Sequence, residues 1–152
     1  MEVSETPQTK HKSFVYKTAT AWTDGKSGTL TSGGKPPLRV SDPPEFKGEP
    51  GVWTPEDLFV AAVEGCYMST FLAYAAKKGL PIVSYTSHTN GVLEMVDGEY
   101  RFTRIVIFPT VVVSNASIEA DVQRILRETQ QHCLVSNSID SFVEVTPTIV
   151  VQ

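Results

Sequence analysis

The sequence predicts an α+β fold in which strands and helices segregate and most strand pairing is antiparallel. Three observations point there: β-rich runs that come in turn-linked pairs, one long apolar run with helix signals at both ends, and a shorter amphipathic run ahead of a closing strand. The chain has 152 residues, of which 41% are hydrophobic and 20% charged, the balance of a chain with a buried core. Thirteen Lys and Arg against seventeen Asp and Glu leave a net charge of −4, so there is no basic surplus for a phosphate backbone and nucleic acid is not an expected partner. No apolar run approaches the roughly 20 residues that span a bilayer, and the opening MEVSETPQTKHK is polar. Neither a membrane partner nor a secretory signal is therefore expected. Two cysteines are too few for a disulfide scaffold and suit a reducing cytoplasm.

Residues 1–12 read as a flexible N-terminal tail and 13–152 as a single domain. From Phe14 to Trp22 large residues alternate with small ones, a strand signature. Asp24-Gly25 supplies a turn, Thr29–Thr31 a returning strand, and Leu38–Val40 a further short one. The Pro and Gly pairs that follow make Ser41–Trp53 an ordered loop. Thr54 fits a helix N-cap, Pro55 the first helical position, and Glu56 and Asp57 place negative charge where the dipole favours it. The helix so begun is apolar almost all round and ends at Lys77-Lys78 and Gly79. Such a helix is normally covered on every side, yet at about 25 residues and some 37 Å it is long for one small domain to surround. A second copy of the chain is the expected cover. Pro81–Val96 and Glu99–Val113 form a hairpin about Asp97-Gly98; Ser117–Gln131 is an amphipathic helix; Ser141–Val151 closes as a strand, with Pro147 marking an edge.

Cys66 lies within the apolar helix and Cys133 just past the second helix, a separation unlike the close-set pairs of a zinc site. The residues alone leave two readings open: a reactive thiol with a resolving partner, or two small hydrophobes in a core. His132 adjoins Cys133 at a helix end, His88 falls in a strand and His11 in the tail, without a Cys-His protease signature. No G-x-G-x-x-G or Walker spacing occurs, and no metal or cofactor is expected.

The segment TPEDLFVAAVEGCYMSTFLAYAAKKGL, with QQHCLVSNSI after it, resembles the OsmC/Ohr family of osmotically inducible and organic-hydroperoxide-resistance proteins. The likeness rests on a Pro-Glu-x-Leu helix start leading to one Cys and a second Cys in a Cys-Pro-Val-Ser-Asn-like segment. Leu134 stands where Pro is frequent. The resemblance implies an OsmC-like intertwined homodimer, with antiparallel β-sheets wrapped around two long central helices. It implies thiol peroxidase chemistry on an organic hydroperoxide, with Cys66 as nucleophile, Cys133 as resolver, and a dithiol reductant, in the family often a dihydrolipoyl group. The alternatives are a non-peroxidase dimer of this fold that binds a small apolar molecule, and a redox sensor.

In the family's peroxidases an Arg held by a Glu attends the thiol. Glu56 matches the Glu, but ten residues of regular helix, roughly 15 Å, separate it from Cys66, so it is expected to serve the thiol of a second copy. Where the family carries Gly-Arg-Asp-Gly, this chain has Asp24-Gly25-Lys26-Ser27-Gly28; Lys26 keeps the charge and loses the planar fork. Arg39 and Lys47 are the other candidate cations. Glu64 stands where the family has a small residue, and is expected to face the second hairpin and pair with Arg101 or Arg104. Phe59, Tyr67, Met68 and Phe71 would either line an apolar entrance or pack the core.

Overall fold

Strand pairing in the first part of the chain runs only as far as each strand finds a neighbour. A computed structural model describes residues 11–152, so most of the expected tail lies outside the described residues. The chain divides into two compact units, Met1–Thr54 and Pro55–Gln152. In the first, β1 (Ala19–Asp24), β2 (Ser27–Thr31) and β3 (Leu38–Ser41) form an antiparallel meander in that order. The strand expected from Phe14 starts only at Ala19. Ala19 already faces Thr31, and beyond Thr31 the chain turns away, with Lys35 N–H bonded to Ser32 O. Alternation at Phe14–Thr18 thus lacks backbone partners, and Phe14 and Tyr16 are 77% and 92% exposed.

The second unit begins with α1 (Pro55–Lys77). Its end is a Schellman arrangement: Leu80 N–H bonds Ala75 O and Gly79 N–H bonds Ala76 O, with Gly79 at φ 66°. Strands β4 (Ile82–Val96) and β5 (Glu99–Val113) make the long expected hairpin. Its turn residues Asp97 and Gly98 both take positive φ, the geometry that matches strand twist. A short 3₁₀ turn at Ala116–Ile118 leads into α2 (Glu119–His132), and another at Ser136–Ser138 follows Cys133.

The closing strand departs from the sequence expectation in two ways. It is broken at Thr146-Pro147 into β6 (Phe142–Val145) and β7 (Thr148–Val151), and both halves pair with β5 in parallel. The physical reason is the connection: α2 carries the chain back along the sheet before β6 begins, as a crossover must. Pro147, with no N–H to give, sits on this outer edge as expected.

The core lies where α1 and α2 cover β5. Val63, Tyr67, Phe71 and Ala75, four residues apart along α1, are buried with Ile105, Ile107, Val111 and Val113 of β5 and Val122, Ile125 and Leu126 of α2. Only this stripe of α1 is fully buried; Met68 and Leu72 remain 40% and 39% exposed. By length and composition α1 is able to cross a membrane, which corrects the expectation that no segment comes near that length. That expectation counted unbroken apolar runs, and Glu64, Ser69 and Thr70 interrupt this one.

Gly91 lets β4 approach α1. A Cβ there would stand 2.5 Å from Val60 Cγ2 and 3.0 Å from Phe102 Cε1. Val60 is β-branched on a helix and has little rotamer freedom to yield. Gly91→Ala should therefore lower stability by about 1–3 kcal/mol, read from urea unfolding. An unchanged midpoint would show that β4 shifts without cost.

Candidate active site

Two elements of the second unit deliver its two thiols. Cys66 sits at mid-α1, half-buried beside the core stripe, one residue before Tyr67. Cys133 is the first residue past α2 and is fully buried. The Tyr67 hydroxyl donates to Leu126 O of α2 at 3.0 Å, tying the helices together next to Cys66. Burial foremost raises the Tyr67 pKa, so this hydroxyl keeps its proton and its bond.

The thiols lie within hydrogen-bonding reach of each other, and both are free. Burial is the largest influence on Cys133 and raises its pKa above the ordinary thiol value. The Ser136 backbone pulls the other way, and the neighbouring Cys66 pushes up again. The net effect holds the proton on Cys133. Ser136 was not singled out from the sequence; its place in the short turn after a helix-terminal Cys is the local signal.

The remaining candidates fall as follows. Glu56 is in the first turn of α1, too far along the same helix to reach Cys66 of its own chain; its Oε2 is buried without a hydrogen-bond partner among the described residues. Glu64 faces the second hairpin as expected, but its partner is neither arginine: Ser87 of β4 donates to its Oε1 at 2.7 Å, while Arg104 pairs with Glu144 across β5 and β6. Tyr67 and Phe71 are core residues. Phe59 stacks on Phe102 at 4.8 Å and, with Ile139 and Ser141 from the segment after Cys133, lines a cavity of about 530 Å³. His132 ends α2, its ring edge toward Tyr74, and His88 stacks on Phe108. Among the described residues no three His, Cys, Asp or Glu converge to hold a metal ion.

Lys26 and Arg39 belong to the first unit and are held differently there. Arg39 is saturated: Nε reaches Glu49 at 2.9 Å, Nη2 reaches both Glu49 and Asp24, and Nη1 reaches Thr23. Those bonds raise the Arg39 pKa and lower that of Glu49, with Ser27 donating to the same carboxylate. Glu49 went unremarked in the sequence because it sits in the Pro/Gly-rich loop, where spacing carries no contact information. Lys26 makes a 2.7 Å bond to Phe46 O and a 3.2 Å ion pair with Asp42.

A family model described as OsmC-like protein matches residues 48–148, and the chain belongs to that family. It is 26% identical over 121 residues to the uncharacterized protein YmaD of Bacillus subtilis, covering 77% of this chain and 79% of that one. Its fold is that of the OsmC-like protein VCA0330 of Vibrio cholerae, with a TM-score of 0.82 at 23% identity over 89% of this chain and 99% of the other. An organic hydroperoxide resistance protein OsmC from Legionella pneumophila superposes with a TM-score of 0.71 at 20% identity, over 91% and 100% of the respective chains.

The burial contrast sets an order of reactivity. Iodoacetamide near pH 8 should modify Cys66 well before Cys133, because the buried thiol is both screened and held protonated. Its pKa is raised on folding, so its labelling should accelerate as pH rises past the value of the unfolded thiol. In urea the two should react alike. Mass spectrometry of the alkylated peptides checks this, and Cys133 labelling first would contradict the assignment.

Proposed function

We propose that this OsmC-like protein is a thiol-dependent peroxidase that reduces organic hydroperoxides to alcohols. The observation that carries this reading is the half-buried Cys66 paired with a buried, protonated Cys133 in an apolar setting. The Legionella protein of the same fold is named for organic hydroperoxide resistance, which agrees with it.

The steps balance as follows. The Cys66 thiolate attacks the distal oxygen of ROOH; the O–O bond breaks, RO⁻ takes a proton to leave as ROH, and Cys66 becomes a sulfenic acid. Cys133 then loses its proton and attacks that sulfur, expelling hydroxide, which leaves as water, and forming the Cys66–Cys133 disulfide. A dithiol, such as a lipoyl group on a protein, reduces the disulfide by exchange and is itself oxidised. The protonated state of Cys133 favours this order: a thiol that donates to Cys66 stabilises the negative sulfur and becomes a nucleophile only once that sulfur is oxidised.

We assign Glu56 to the Cys66 of a second copy in a homodimer, a reading that its distance along α1 from the Cys66 of its own chain supports. Lys26 is our choice for the cation that attends the thiol. Its charge is opposed by one half-exposed aspartate, whereas Arg39 is committed to two carboxylates. The exposed face of α1 is assigned to the subunit contact, and the reaction to a reducing cytoplasm.

Purified protein should consume cumene hydroperoxide with dihydrolipoamide as reductant. Cys66→Ser should abolish consumption, at least 10²-fold, while Cys133→Ser should leave a single stoichiometric turnover and a sulfenic acid that dimedone traps. Lys26→Met should slow the first step with little effect on disulfide reduction. Wild-type turnover by Cys66→Ser would remove the peroxidase reading; an inert wild-type protein would favour a binding role for the same dimer.

A further inference from the structure

A crevice runs along the far side of the second unit, between α2 and the outer edge formed by β6 and β7. Its volume is about 210 Å³, below the roughly 300–1,000 Å³ of sites for drug-sized ligands. The floor is apolar: Leu126, Val145, Pro147 and Ile149. The rim is polar and comes from one face of α2, where Glu119, Gln123, Arg127 and Gln130 recur at helical spacing. No thiol takes part; Leu126, whose backbone O accepts from Tyr67, gives its side chain to the floor.

Charge distinguishes this crevice from an ordinary packing groove. Arg127 is exposed and, like Arg101, makes no ion pair among the described residues, while Arg39, Arg104 and Arg124 each do. A planar guanidinium beside an apolar floor suits a planar anion carried on a hydrocarbon body. Glu119 lines the opposite end, eight residues or about 12 Å along the helix. A ligand of six carbons falls short of that carboxylate, so a second anionic group would lie on the apolar floor and be desolvated there. Gln130 is anchored over the strand edge through Nε2 to Val143 O at 3.2 Å, which holds the rim in place. The break of the closing strand at Pro147 opens the crevice, because that residue gives the edge no N–H to pair.

We infer that this crevice binds a small monocarboxylate with an aliphatic body, its carboxylate on Arg127 and its chain on Leu126, Val145 and Ile149. Size excludes long chains, and the apolar floor disfavours a second charge. The inference is independent of the peroxidase reading, since a protein without turnover would still bind at this crevice.

Amide NMR of the full chain, titrated with hexanoate, hexan-1-ol and adipate, tests it. Hexanoate should shift the amides of Gln123, Arg127, Val145 and Ile149 saturably. Hexan-1-ol, which lacks the charge, and adipate, which carries two, should each bind about tenfold more weakly. Arg127→Gln should bring hexanoate down to the level of hexan-1-ol, and Glu119→Gln should leave the order of the three ligands unchanged. Ile149→Trp, which fills the floor, should remove binding of both; spectra matching wild type elsewhere show that each variant is folded. No saturable shift at these residues, equal binding of hexanoate and hexan-1-ol, or an Arg127→Gln protein that binds as wild type would each overturn the inference.

Discussion

The second unit depends on one stripe of α1. Val63, Tyr67, Phe71 and Ala75 recur at intervals of four and bury themselves on β5 and α2. At this interval the row drifts slowly around a 3.6-residue helix and presents a single narrow face. Everything else on α1 is placed by that choice. Cys66 precedes a stripe residue and so falls at the edge of the core, half-buried rather than sealed. Glu64, Met68 and Leu72 form the neighbouring row at the same interval; its apolar members stay exposed, while Glu64 finds Ser87 at its margin.

The same stripe sets the relation between the thiols. Tyr67 is the one stripe residue with a polar tip, and its hydroxyl must find an acceptor once the ring is buried. It finds Leu126 O, which fixes the depth and rotation of α2 against α1. Cys133 lies two helical turns beyond Leu126, at the point where α2 stops. A helix tied at Leu126 and ended at His132 leaves little freedom in where the next residue lands, and it lands beside Cys66. The raised pKa of Cys133 follows from the same burial.

Local rules made much of this legible. The Thr54-Pro55-Glu56 start and Lys77-to-Gly79 end of α1, the Asp97-Gly98 turn and the amphipathic α2 are all written in neighbouring residues, and the structure bears them out within a residue or two. What local rules could not supply was partnership. Phe14–Thr18 has strand character and no strand beside it. The closing run carries its β propensity without its direction, which the α2 crossover decides. Glu64 was legible as a residue turned to the hairpin, but not its choice of Ser87 over two arginines, because that depends on the register of β4 and β5. The approach of Cys66 to Cys133 spans 67 residues, and only the paired motifs of the OsmC/Ohr resemblance pointed to it.

The exposed row of α1 bears on the proposed dimer through Glu64. Exposing Met68 and Leu72 along one row of a helix leaves apolar area that water disfavours, at roughly 25 cal/mol per Å². Lipid would satisfy those side chains equally well, and α1 is long enough to reach across a bilayer. But Glu64 lies one turn from Met68 on that row, and its carboxylate is satisfied by Ser87 of the unit's own sheet. A charged group near mid-helix is costly in hydrocarbon and tolerable in a protein contact whose hydrogen bonds are already made. On its other side α1 already lies against α2 and β4. In the proposed dimer the surface offered to this row is the same row of the second copy, turned about a two-fold axis, with apolar side chains at the same spacing.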